Sequence, residues 1–173
     1  MLSPTMQNAL NAQINKEQYS SQLYLAMSAH LDARKYKGFA HWLRIQSEEE
    51  SAHAMKLVDF VLEQCAGLEL KPIAAPPVPF DGVTQLFELA LTHEQENTAS
   101  IHSLFETARS EKDFASEITL HWYVTEQVAE ESVISAILDH LRAVGDQGGA
   151  IWYLDHRMSK RVRGETLNAS TAY

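Results

Sequence analysis

The chain has little of what staples or breaks a fold. Cys65 is the only cysteine among 173 residues, which excludes an intramolecular disulfide and a metal site built on several thiolates, and which fits a reducing compartment. Glycine appears seven times and proline five, with four of the prolines between Pro72 and Pro79. Most of the sequence is therefore free of helix breakers, and it is rich in Ala, Leu, Glu and Gln, a helical composition. Positive charge is scarce: 14 Lys and Arg stand against 23 Asp and Glu, for a net charge of −9. That balance argues against nucleic-acid binding, which needs clustered Lys and Arg for phosphate contacts, and favours cations as partners. No apolar run approaches membrane-spanning length, and the segment Met1 to Gln7 lacks the basic region and apolar stretch of a signal peptide. The expectation is a cytoplasmic protein with no membrane and no nucleic-acid partner, about one domain in size with a single core.

What is present is a run of long helical segments. Ser3-Pro4 suits a helix start, because Ser caps free N–H groups and Pro fits the first turn. A first helix is predicted from about Pro4 to Lys35 and a second from about Phe39 to Cys65, separated by a break at Lys37-Gly38. From Leu68 to Asp81 the prolines forbid helix and predict an extended crossover. At roughly 3.3 Å per residue, such a crossover can run the length of a bundle and start the next helix from the far end. A third helix is predicted from Val83 to Ser110 and, after a turn at Glu111-Lys112-Asp113, a fourth from Phe114 to Val144. Gly145, Gly148 and Gly149 precede a short fifth helix from about Ala150 to Arg161. Residues 1–163 form one bundle domain in this scheme, and 164–173 a polar tail. Two hairpins of long helices joined by one long crossover make an all-α four-helix bundle of ferritin-like connectivity.

The inward stripe of each helix carries an anomaly. Steps of three and four residues give Leu10, Ile14, Glu17, Ser21 and Tyr24 on the first helix, and Leu43, Gln46, Glu50, His53 and Leu57 on the second. The third gives Phe87, Ala90, Glu94 and Ile101, and the fourth Tyr123, Gln127, Glu130 and Ile134. Each apolar face is thus interrupted near its middle by carboxylate, amide or imidazole. The plan also repeats, since Glu50 lies 33 residues after Glu17 and Gln127 lies 33 after Glu94. Five ionisable groups in one interior repel and resist desolvation unless something positive sits among them. Oxygen donors plus one imidazole suit an iron-type or manganese-type ion, so the pattern predicts a dinuclear metal site.

The chain resembles the bacterial non-haem ferritins. The residues that carry the resemblance include Leu2-Ser3-Pro4, Gln18-Tyr19-Ser20-Ser21, Glu48-Glu49-Glu50-Ser51-Ala52-His53, His93-Glu94-Gln95 and Trp122 to Gln127, and it extends to about the end of the fifth helix. It implies a self-assembling shell of 24 subunits, a ferroxidase centre in each bundle that oxidises Fe(II) with O2 or peroxide, and iron stored as ferric mineral. Carried over by position, Glu17, Glu50 and His53 would bind the first iron, with Glu50 bridging to a second held by Glu94 and Glu130. Gln127 would stand beside the second iron as a hydrogen-bonding group or weak ligand. Helix four reads Gln127-Val128-Ala129-Glu130 where the general di-iron pattern has a second Glu-x-x-His, so the second iron should be held less tightly. Many members have a third iron position. Glu49 and Glu126 match it, but a further expected glutamate is Ala129, so that position should be weakened or absent. Ala52 also stands where haem-containing relatives place a haem-ligating Met, and no haem is expected.

Tyr24 and Trp122 are candidates for donating electrons or hydrogen bonds to the centre, or for packing the core. The remaining histidines are expected to be surface or structural, and Glu131 to diverge from Glu130 toward solvent or a cavity. Two other functions compete with iron storage. A di-iron redox enzyme would want two Glu-x-x-His motifs, and a miniature-ferritin DNA-protection protein would place its metals between subunits and often carries a basic tail.

Overall fold

Ser3 starts the first helix α1 (Pro4–Ala33): its hydroxyl oxygen accepts the Met6 N–H at 3.0 Å, and Pro4 occupies the first turn. In the computed structural model, which describes residues 2–145 and 148–164, four further helices follow: α2 (Lys37–Glu63), α3 (Val83–Glu111), α4 (Phe114–Val144) and α5 (Gly148–Met158). The polar tail beyond Gly164 lies outside the described residues. Among the described residues there is no strand, and no helix is long and apolar enough to cross a membrane.

Residue pairs fix the directions of the helices. Ser21 meets Ser47 and Ser28 meets Ala40, so α1 and α2 are antiparallel. Lys16 meets Ser100 and Ser20 meets His93, so α1 and α3 are antiparallel as well. The second and third helices therefore run parallel, and the link between them must return along the bundle. It does so against α1, with Asn11 bonded to Gly67 and Glu69, Asn15 to the carbonyls of Lys71 and Pro72, and the ring of Phe80 lying 5.3 Å from that of His30. At about 1.5 Å of helix rise per residue, the path from Asn11 to His30 covers roughly 28 Å. Asp113 then caps α4 by accepting the Ser116 N–H at 3.1 Å.

The helices bury two apolar clusters. One, around Tyr24, Met27, Leu31, Phe39, Trp42, Phe87 and Ile137, includes Leu154 and Met158 from α5. The other, around Met6, Leu10, Ile14, Leu57, Val61, Ile101 and Leu120, fills the opposite end.

The helix limits differ from the sequence expectation at several places; α2 ends at Glu63, not Cys65, and α5 begins at Gly148, taking in two glycines that the sequence marks as breaks. The first helix stops at Ala33 because Lys35 turns left-handed, at φ 72°. The second begins at Lys37 and takes in Gly38, which the sequence marks as a break. Gly38 is needed for a close approach instead: a Cβ there would sit 1.5 Å from the carbonyl oxygen of Asp155 on α5. The Asp155 carboxylate accepts the Phe39 N–H at 2.9 Å and caps α2 across the fold, since no neighbouring side chain does. Finally, α5 ends at Met158, and the chain turns through Ser159 and Lys160 so that Arg161 points inward.

Gly38→Ala should therefore push α5 off the head of α2. The expected cost is about 1–3 kcal/mol, typical of overpacking a close contact. It should appear as a lower melting temperature by circular dichroism, and an unchanged midpoint would show that the contact carries no weight.

Candidate metal centre

Each of the four long helices sends its interrupting residues to the layer between the two apolar clusters. Glu17 comes from α1, Glu50 and His53 from α2, Glu94 from α3, and Gln127 and Glu130 from α4; all six are buried. Glu17, Glu50, Glu94 and Glu130 are each 1% exposed or less. Glu17, Glu50 and His53 offer ligand atoms that all lie within 4.8 Å of one another, and so do His53, Glu126 and Glu130.

The hydrogen bonds leave one side of this cluster open. Gln13 donates to Glu17 Oε1 at 2.6 Å, Asn97 approaches the same oxygen at 3.4 Å, and Gln46 donates to Glu50 Oε1 at 2.9 Å. Glu17 Oε2, Glu50 Oε2 and both oxygens of Glu130 have no partner, although all are sealed from solvent. A buried carboxylate oxygen with no donor is costly and rare. The His53 ring offers little relief, with Nδ1 3.7 Å from Glu50 Oε2.

Glu94 differs from the other three carboxylates. Tyr24 donates its hydroxyl to one oxygen, Gln127 donates its amide to the other at 3.0 Å, and Glu94 belongs to neither ligand group. Each of its oxygens still has a free lone pair that could face a metal.

Charge behaves as this crowding requires. Burial lifts the Glu94 pKa to about 6, with the Tyr24 and Gln127 hydrogen bonds acting in the opposite direction. Burial, then the charge of Glu94, raises both Glu50 and Glu130 well above the usual carboxylate range. The Tyr24 hydroxyl is driven up by burial and by Glu94, and so keeps its proton as a donor.

The imidazole is held by its surroundings. Trp122 and Tyr123 meet the His53 ring edge-on, with centroids 5.1 and 6.3 Å away, and the Tyr123 hydroxyl donates to the His53 carbonyl at 2.8 Å. Trp122 thus touches the cluster's histidine, while Lys56 Nζ lies 3.5 Å from the centre of its indole. Glu126, half-buried, lies beside His53 and Glu130. Glu49 joins neither ligand group and instead pairs with Arg161. Glu131 accepts from Thr98. His93 packs beside Tyr19 and Tyr24 and lies 2.7 Å from the Ser20 hydroxyl, and among the described residues no histidine except His53 joins a metal-type group.

The sequence pattern did not single out Gln13 and Asn97, which hold Glu17, and put Gln46 on the inward stripe without giving it the role of holding Glu50. Gln13 and Gln46 each precede their glutamate by four residues, and Asn97 follows Glu94 by three. That spacing puts an amide on the same face as each acid and is the signal that could have found them. Arg161 gave no comparable signal.

The sequence profile of the ferritin-like domain matches residues 7–144. Over 165 residues the chain is 33% identical to a bacterial non-heme ferritin of Staphylococcus aureus (strain USA300), covering 95% of this chain and 99% of that one. It is 34% identical over 161 residues to a bacterial non-heme ferritin of Bacteroides fragilis (strain 638R), covering 93% of this chain and all of that one. A solved structure described as an open pore ferritin from the hyperthermophilic archaeon Archaeoglobus fulgidus superposes with a TM-score of 0.92 at 42% identity, spanning 94% of this chain and 100% of its own. A relative of that structure, engineered into a closed form, superposes equally well. Matched in sequence and in fold over most of its length, the chain belongs to the ferritin family, in which iron storage and Fe(II) oxidation are the general activities.

Proposed function

We propose that the protein oxidises Fe(II) to Fe(III) at a dinuclear centre inside each bundle, with O2 or peroxide as the electron acceptor, and stores the product as ferric mineral within a shell of 24 copies. The observation that carries this reading is the set of four unpartnered carboxylate oxygens on Glu17, Glu50 and Glu130, turned into a sealed layer beside His53. Cations satisfy such oxygens, and hard donors with a single imidazole suit Fe(II).

In this reading iron is substrate and cargo. Glu17, Glu50 and His53 hold the first Fe(II), Glu50 bridges, and Glu94 and Glu130 hold the second. Gln127 and Tyr24 keep their hydrogen bonds to Glu94 and fix its orientation, while Gln13 and Gln46 fix Glu17 and Glu50. Each Fe(II) gives up one electron; two electrons and two protons convert O2 to hydrogen peroxide, or peroxide with two protons to two waters. The second position has no imidazole and binds the more weakly, which suits iron that must move on to the mineral.

Three results test this. Glu94→Ala should slow the initial rate of Fe(II) oxidation by at least about tenfold in stopped-flow absorbance; an unchanged rate would remove Glu94 from the centre. Aerobic iron loading followed by light scattering should show a particle of about half a megadalton, as 24 chains of 19.5 kDa require, holding far more iron than its ligands can bind. A small oligomer that stops near two irons per subunit would mark a redox enzyme instead.

The third result concerns pH. Glu94 has a folded pKa of about 6 against an ordinary 4.5, and Glu50 and Glu130 are also raised. The folded metal-free protein therefore binds more protons than the unfolded chain, and stability falls as pH rises from about 4.5 through 6 and beyond. Glu94 alone accounts for about 2 kcal/mol at neutral pH. The metal-free protein should melt lower near pH 7 than near pH 5, and anaerobic Fe(II) should restore the loss at the higher pH. Equal midpoints without metal would contradict the charge crowding.

A further inference from the structure

The segment after α5 carries a cation into the flank of the centre. The Arg161 side chain is only 3% exposed. One guanidinium nitrogen donates to the Trp42 carbonyl at 3.2 Å, and the other donates to Gln46 Oε1 at 2.9 Å and to the Glu49 carboxylate. The guanidinium carbon lies 4.1 Å from the centre of the Trp42 indole, and the Arg161 carbonyl accepts from His41 Nε2 at 3.0 Å. The other oxygen of Glu49 accepts the Gly164 N–H at 3.4 Å, and Arg163 pairs with Glu48 at 3.2 Å. The strap from Arg161 to Gly164 is thus laid along the acidic run Glu48-Glu49-Glu50 of α2.

Two consequences follow from these contacts. Both oxygens of Glu49 are occupied, one by a charged donor, so this carboxylate is turned away from the ligand groups that contain its neighbour Glu50. The same guanidinium grips Gln46 by its amide oxygen, which leaves the amide N–H groups to face Glu50 Oε1. An arginine stays charged at any working pH, and a metal ion on Glu49 would have to displace it or sit within a few ångströms of it in a water-poor interior.

We propose that Arg161 is a tethered cation that claims Glu49, limits the centre to two metal ions, and positions Glu50 through Gln46. The proposal rests on the reading of Glu17, Glu50 and His53 as a metal site. The strap after α5 then supplies a fixed positive charge beside the centre, where a carboxylate would otherwise be free to bind metal. Arg161 is a positioning and specificity-determining residue, since it acts through Glu49 and Gln46.

The test is anaerobic Co(II) titration of the assembled full-length protein, followed by visible absorbance, together with anomalous scattering from Co(II)-soaked crystals. The native protein should take two Co(II) per subunit and show none on Glu49. Arg161→Gln should take a third with Glu49 as a ligand, and the double variant Arg161→Gln, Glu49→Gln should lose it. Arg161→Lys, which keeps the charge, should stay at two. Cobalt on Glu49 in the native crystal would overturn the proposal, and this needs no variant to fold. So would Arg161→Gln remaining at two, or Arg161→Lys gaining the same third ion as Arg161→Gln. Native crystals with no Co(II) at Glu17, Glu50 and His53 would overturn the metal-centre reading itself, whereas Co(II) there and on Glu49 together would remove only the role given to Arg161.

Discussion

Four glutamates buried in one layer are the constraint on which the rest of this structure depends. Their mutual repulsion and lost hydration oppose folding, and only part of that cost is offset within the chain. Gln13 and Asn97 approach Glu17, Gln46 serves Glu50, and Tyr24 with Gln127 serves Glu94, while Glu130 receives no hydrogen bond. These donors secure one oxygen each of Glu17 and Glu50 and both of Glu94, and leave four carboxylate oxygens bare. Such an arrangement makes little sense as a way to stabilise a helical bundle. It is what the proposed metal centre requires: carboxylates held in place by part of their hydrogen bonds, with the remaining oxygens left for cations.

The apolar parts of the fold bear that cost. The crossover pinned to Asn11 and Asn15 lets both hairpins present their middles to one level, so that all four helices contribute to the layer. At one end α5 adds Leu154 and Met158 to the core, caps α2 through Asp155, and leads into the strap that ends beside the centre. The short helix therefore links the packing at the end of the bundle to the electrostatics at its middle. A close contact at Gly38 and a buried guanidinium at Arg161 belong to one docking event.

Periodicity made much of this legible beforehand. The interruptions at Glu17, Glu50, His53, Glu94, Gln127 and Glu130 stand out because each breaks an apolar stripe, and costly burial repeated in four separate helices signals a shared purpose. The proline-rich run announced the crossover for an equally local reason. What stayed hidden depends on contacts remote in sequence. Gly38 reads as a helix break until the Asp155 carbonyl is seen 1.5 Å from where its Cβ would be, and Arg161 reads as the end of the short fifth helix until it is found bonded to Glu49 of α2. Tyr24 and Gln127 were legible as hydrogen-bonding groups near the centre, but that both donate to Glu94, one to each oxygen, was not, since pattern places a side chain on a face and does not choose its partner.

The polar layer also divides the hydrophobic interior into two clusters on either side of it. Met6 and Leu10 belong to one cluster, and Leu31 and Phe39 to the other. Substitutions at one end should then add to those at the other with little coupling, as separated sites do. The fold is in effect two small cores on either side of a carboxylate seam, and either end could be repacked, for assembly or for heat resistance, without touching the residues proposed to bind metal.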